Sequence, residues 1–300
     1  MISLTARQHF SFARVALYAA LASWSVFCVA PLYWLALASI KSVADLDGAP
    51  RYIPFIDFVP DFSAWYFVLF DPLENLLSRF FNTFVISAAS AIITLIVAVF
   101  SFYGMTRIRS KNIFMARYQP VIFLAVIALR LVPPALVALP SYLLATQIHI
   151  IDTHGLLIGV YSAFNFPLAL LLILPVLRLH VSVEEESARL EGASHFRILA
   201  DILLPMYRVQ FASIAVLLFL LCWNEYLFAS YLTYDHAETL TPWMVGQVSL
   251  KEAQTGGGSE DIAHMAAAAL FMAMPAFLLA FSLQKFVKNI VGRSLEKNDR

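Results

Sequence analysis

Charge is scarce in this sequence. Asp, Glu, Lys and Arg make up 13% of its 300 residues, and acids and bases cancel to a formal net charge of zero. That balance removes the basic footprint of a nucleic-acid binder. Cysteine is scarcer still: Cys28 and Cys222 lie in separate apolar runs and read as small buried hydrophobes, not as a disulfide or a thiolate site. His149 and His154 flank one turn, and His180, His195, His236 and His264 stand alone, so no metal-ligand spacing is present. Neither His-Glu-x-x-His nor Gly-x-Ser-x-Gly occurs, and no nucleophile–base constellation supports an intramembrane enzyme. Gly256-Gly257-Gly258 lacks the Lys-Ser/Thr of a phosphate loop and reads as a flexible turn.

What fills the sequence is apolar. Hydrophobic residues reach 61%, mean hydropathy is +0.76, and 25 residues are Phe. A single soluble core cannot hide this excess, so most of the chain must face lipid or other membrane helices. Continuous runs predict an all-α membrane protein with six spans at about 14–40, 80–106, 118–145, 155–178, 209–233 and 263–286. Pro133, Pro134 and Pro140 interrupt the third. The first run is too long for a signal peptide and is expected to be retained. With the N-terminus inside, Arg107, Arg109, Lys111, Arg117, Arg178, Arg189, Arg197, Arg208 and the Lys and Arg of the tail all fall inside. Only Lys41, Arg51, Arg79 and Lys251 fall outside. This asymmetry predicts that both termini are cytoplasmic. The expected organisation is an N-terminal segment with the first span and an outer loop (1–77), a transmembrane domain (78–287) and a cytoplasmic tail (288–300).

The informative stretch is a polar island on the inner side, Glu184-Glu185-Glu186-Ser187-Ala188-Arg189-Leu190-Glu191-Gly192, continuing to Leu204-Pro205. Ser182 followed by Glu185 fits a capping box, and the glutamates suit the positive end of a helix starting there. Gly192 can end that helix in a left-handed conformation, and Ser194 can cap a second one. Phe196, Leu199, Ala200 and Leu203 predict an apolar stripe on it, and Pro205 marks the boundary with the next span. Composition alone is met equally well by a helix lying on the membrane surface.

The spacing is more specific. Glu186-Ser187-Ala188, three residues, Gly192, nine residues, Ile202, one residue, Leu204-Pro205 resembles the EAA loop of permease subunits in bacterial binding-protein-dependent ABC importers. Ser187 stands where Ala is usual, Glu191 where Asp commonly precedes the Gly, and Val181 near a common Pro. Asn82-Thr83, Trp223-Asn224-Glu225-Tyr226 and the last span are weaker echoes, most similar to sugar importers and to the shorter permease of the maltose-type pair.

The resemblance implies a type I importer permease fold with a five-helix core in the inner membrane and a coupling loop at 182–205. It implies sugar import through a path shared with a second homologous permease, a periplasmic binding protein outside, and an ATP-binding subunit dimer inside. Glu186, Ala188 and Gly192 would meet that dimer, flanked by Glu185, Phe196 and Leu204. No cofactor is expected on this chain; ATP and Mg would belong to the partner ATPase, and the chain itself would not be an enzyme.

Three polar residues interrupt the apolar runs. Arg130 in mid-span must face a cavity or a partner, because an ionised group there costs roughly 2.5–3.5 kcal/mol on insertion scales. It reads as a cavity-lining or gating residue, or else as one half of a structural pair or a group snorkelling toward the interface. Asn224 reads as a substrate contact or an interhelical hydrogen bond, and Glu225 as a counter-ion, with Arg130 as its candidate partner. A secondary carrier driven by an ion gradient is the competing reading; it would need internal repeats, paired broken helices and midplane ionisable groups.

Overall fold

The computed structural model describes residues 2–70, 76–107, 113–178, 183–246 and 259–298. Ser182, the Gly256–Gly258 turn and the loops 108–112 and 179–182 lie outside them. Among the described residues all regular structure is helical, apart from one isolated bridge between Pro54 and Phe58. The helices are α1 (Ile2–Ala38), α2 (Val43–Asp47), α3 (Ser63–Phe70), α4 (Leu76–Arg107), α5 (Ile113–Ala128), α6 (Pro134–Gln147), α7 (His154–Arg178), α8 (Val183–Leu190), α9 (His195–Arg197), α10 (Leu204–Met206), α11 (Arg208–Trp223), α12 (Leu227–Leu232) and α13 (Ser259–Asn298).

Arg14–Ala38, Leu76–Met105, His154–Val176 and Ile262–Ser282 are each long and apolar enough to cross a membrane unbroken. Two further helix pairs are apolar enough only when taken together across a bend, Pro120–Leu131 with Pro134–Gln147 at 89° and His195–Met206 with Arg208–Trp223 at 83°. The described helices thus supply four unbroken spans, and six if each bent pair is counted as one.

The chain packs as two units, Met1–Glu74 with Gly246–Met274 and Asn75–Val245 with Pro275–Arg300. In the first, Lys41 follows α1 and is only 4% exposed. Its amine lies 5.4 Å from the Trp34 ring, 5.9 Å from Tyr52 and 5.4 Å from Phe58, an aromatic cage around the cation, whose charge also acts on Asp45 and Asp57. The Tyr33 hydroxyl donates to the Tyr52 carbonyl at 2.7 Å, and the Asp61 N–H donates to the Ile40 carbonyl at 2.9 Å, so the loop after α1 folds back on the helix end.

In the second unit α4 and α7 form the centre. Small polar residues let the backbones approach: Ser87, Ser90 and Thr94 are buried, and the Ser162 hydroxyl reaches the Ser90 carbonyl at 3.4 Å. Trp223 at the end of α11 is 1% exposed, edge-on to Phe80 and stacked on Phe219, each at 5.5 Å. Cys222 is buried, but Cys28 is exposed on α1, which corrects its reading as a buried hydrophobe: among the described residues the span Arg14–Ala38 buries none of its most apolar window.

Candidate functional site

Three polar regions are arranged along the second unit. The first is the bend from 183 to 206. Helix α8 starts at Val183, directly after the expected cap, and stops before Gly192, whose φ of +85° is the left-handed value. No atom lies within 4 Å of a Cβ built there, so backbone conformation and not crowding within the chain calls for Gly. Ser194 caps α9 through its side chain, which accepts from the Arg197 N–H.

The expected apolar stripe needs a correction. Residues Ile198–Leu203 form a π-helical turn, whose extra residue rotates the register. Ile198, Leu199 and Leu203 are buried, Ala200 is half-buried, and Phe196 is 66% exposed, stacking on Phe100 of α4. His195 lies 3.3 Å from the Tyr103 hydroxyl, a second tie to α4.

Of the residues implicated in coupling, Glu186, Gly192, Phe196 and Leu204 are exposed and Ala188 is half-buried. Glu185 is 1% exposed and its carboxylate sits 3.2 Å from Arg189, one turn on, so it faces its own chain.

The second region joins the two helix breaks. The first follows the expected interruption by Pro133 and Pro134; the second was not expected, and it corrects the continuous fifth run. The third span breaks at Leu129–Leu131, a 3-10 turn after which Val132 and Pro133 are extended and Pro134 restarts the helix at its first position; Pro140 causes no break. The fifth does not run on from 209 to 233: α11 ends at Trp223 and α12 starts at Leu227. Glu225 is the physical reason. Its carboxylate accepts from the Phe228 N–H at 2.9 Å and the Ala229 N–H at 3.1 Å, capping a new helix. The buried Tyr161 hydroxyl lies alongside that carboxylate without a hydrogen bond of ordinary geometry.

Between the breaks lies a cavity of about 540 Å³ lined by Arg130, Tyr161, Phe164, Asn165, Asn224 and Glu225 among others. Arg130, Asn224 and Glu225, separate in sequence, thus share one wall. They do not pair as expected. Among the described residues no carboxylate lies within ion-pair distance of Arg130; its guanidinium sits 4.4 Å over the Phe164 ring. Asn224 donates to the Leu220 carbonyl on its own helix at 2.8 Å. Tyr161, Phe164 and Asn165 escaped sequence reasoning; Asn165, polar within the apolar run of α7, was the available signal.

The third region was not legible at all. Asp152, at a φ of +59° and 5% exposed, accepts hydrogen bonds from the N–H groups of Tyr234, Asp235, His236 and Ala237. Burial pushes its pKa up, but these four donors outweigh burial and hold it below the usual carboxylate range. The Asn82 amide donates to the His236 and Glu238 carbonyls, which leaves its oxygen to accept from His154 Nε2 at 2.8 Å. Arg79 pairs with Glu238. This hub and the bend lie near opposite ends of α4, about 30 Å apart at 1.5 Å rise per residue.

Residues 113–292 match the family described as binding-protein-dependent transport system inner membrane component. That is more than half of the chain, and it belongs to this family: it is a multi-pass permease subunit and not a catalytic one. Among its relatives is the melibiose/raffinose/stachyose import permease MelC of Bacillus subtilis, 26% identical over 258 residues, covering 85% of this chain and 87% of MelC. The trehalose/maltose transport system permease MalG of Thermococcus litoralis is 23% identical over 265 residues, covering 88% and 89%. The fold is that of a bacterial ABC transporter chain, from a complex involved in importing the acidic polysaccharide alginate, with a TM-score of 0.70 at 19% identity over 94% of this chain and 97% of that one.

Proposed function

We propose that this chain is one of two permease subunits of an ATP-driven sugar importer in a bacterial inner membrane, with both termini in the cytoplasm. A periplasmic binding protein delivers the solute, and a separate ATP-binding dimer, carrying ATP and Mg, drives the cycle. Sugar-importing relatives and the family's dependence on binding proteins support the substrate class and the delivery step. The Lys and Arg asymmetry supports the orientation.

The observation that carries the coupling role is the bend at Gly192. Two short helices meet there at a left-handed glycine; Leu190 is 86% exposed and Phe196 66% exposed on a segment tied to α4 through His195. In this reading Glu186, Ala188, Gly192, Phe196 and Leu204 form the face that the ATPase grips. Glu185, bonded to Arg189, stiffens α8 from behind. Movement of the bend is transmitted to α4 at Phe100 and Tyr103 and along α10 into α11.

Gly192→Val tests this. A β-branched residue at φ +85° is strained. ATP-dependent uptake and co-purification of the ATPase should be lost while membrane insertion is kept; normal uptake by this variant would refute the coupling role. The two broken spans also suit a carrier driven by an ion gradient. Uptake that persists without ATP and collapses with the proton or sodium gradient would favour that reading.

A further inference from the structure

We propose that the cavity between the helix breaks receives an acidic saccharide, with Arg130 holding its carboxylate, sulfate or phosphate group. The inference rests on the importer reading and names the substrate class within it. The volume, about 540 Å³, falls inside the roughly 300–1,000 Å³ range of small-ligand sites. Phe164 and Tyr226 line it, offering flat apolar surface to a sugar ring.

Arg130 makes the site selective. Its Nη1 is buried without a hydrogen-bond partner, and among the described residues no carboxylate is close enough to pair with it. Phe164 covers one face of the guanidinium and leaves its edge, the part that matches an oxyanion in two-point fashion, unanswered. Glu225 lines the same cavity, but its oxygens already accept from Phe228 and Ala229. It is held as a helix cap, not as a partner for Arg130. The Asn224 amide nitrogen is committed to Leu220, which leaves its oxygen to accept from a sugar hydroxyl. A neutral sugar entering here leaves a desolvated cation unpaired, whereas an anionic one pairs it. Sites built on a polar partner reject the analogue that lacks it.

The test uses the whole transporter: this chain with its second permease, ATPase dimer and binding protein. Binding of digalacturonate and of neutral galactobiose to the detergent-solubilised complex is measured by intrinsic fluorescence. Digalacturonate should bind at least tenfold more tightly than galactobiose. Arg130→Gln should remove that preference by weakening digalacturonate binding about tenfold, while Arg130→Lys should keep part of it. Asn224→Ala should weaken both sugars alike. Equal binding of the two sugars by the unaltered complex, binding of neither, or a preference that survives Arg130→Gln would each overturn the proposal. Thermal unfolding of the Arg130→Gln complex checks that it is assembled. ATP-dependent uptake of galactobiose that exceeds uptake of digalacturonate in the unaltered complex would end this inference and leave the importer reading intact. Absence of ATP-dependent uptake of any sugar would end the importer reading.

Discussion

The hub around Asp152 and the bend at Gly192 are both polar patches in an apolar chain, at opposite ends of α4, and they treat their polar groups in opposite ways. At the hub the buried polar groups are answered largely from within: Asp152 by four N–H groups, Arg79 by Glu238 through its Nε, Asn82 by two carbonyls and His154. At the bend Glu186 and Glu191 are exposed, as are Leu190 and Phe196. Charged residues alone therefore do not mark an interaction surface. A patch that satisfies its own donors and acceptors holds the fold, and one that leaves them outward is available to something else.

The sharpest way to break this contrast is to empty the hub. Asp152→Ala strands four N–H groups, and buried unsatisfied donors cost about 1–3 kcal/mol each before relaxation and water. A net loss of about 3 kcal/mol is expected as a lower unfolding temperature in detergent, with Asp152→Asn losing less. An unchanged unfolding temperature for Asp152→Ala would remove the hub's structural role.

The same carboxylate predicts a pH dependence. Its folded pKa is depressed, so its contribution is present above the unfolded value of about 3.9 and is lost as pH falls through the lower folded value. Stability should start to fall as pH drops through the ordinary carboxylate value and go on falling until it passes the depressed folded one, and Asp152→Asn should flatten that component. A loss centred near neutral pH would point to another group.

Ion pairs sharpen the comparison further. Arg79 and Glu238 are 21% and 17% exposed in their side chains, and a double-mutant cycle should give a coupling of about 1–2 kcal/mol. Arg197 and Asp201, 3.4 Å apart near the bend, are 75% and 64% exposed and should couple by no more than about 0.5 kcal/mol. Smallest on this scale is Glu186→Ala, expected to change stability by less than about 0.5 kcal/mol while lowering transport. If it destabilised the protein as much as a hub variant does, the exposed face would be structural too.

Sequence carried the parts of this architecture that depend on neighbours along the chain. Span lengths, the Gly192 turn and the Ser194 cap are local, and each follows from residues within a few positions. Prolines marked the break in the third span, but the break after Trp223 was hidden because α11 and α12 form one apolar run in which periodicity sees no gap. What divides them is a Glu225 carboxylate bonded to N–H groups three and four residues on, in a geometry that composition does not encode. The stripe was misread at Phe196 because a single π-helical turn shifted its register. The hub was out of reach for another reason: the donors to Asp152 lie more than eighty positions away, and Arg79 and Glu238 are further apart still. The Arg130 cavity was half visible. A cation in mid-span announced an enclosed polar space, but only the fold shows that Asn224 and Glu225 border it and that Glu225 is already engaged.

The lysine after α1 has a consequence for the lipid around it. A lysine at the end of a span ordinarily stretches toward headgroups, and the helix then settles at a depth that varies with bilayer thickness. Here three rings belonging to the protein hold the amine, so a peg within the chain fixes the rim of the first helix. Thinner or thicker membranes should displace that rim less than they would a helix moored by a free lysine.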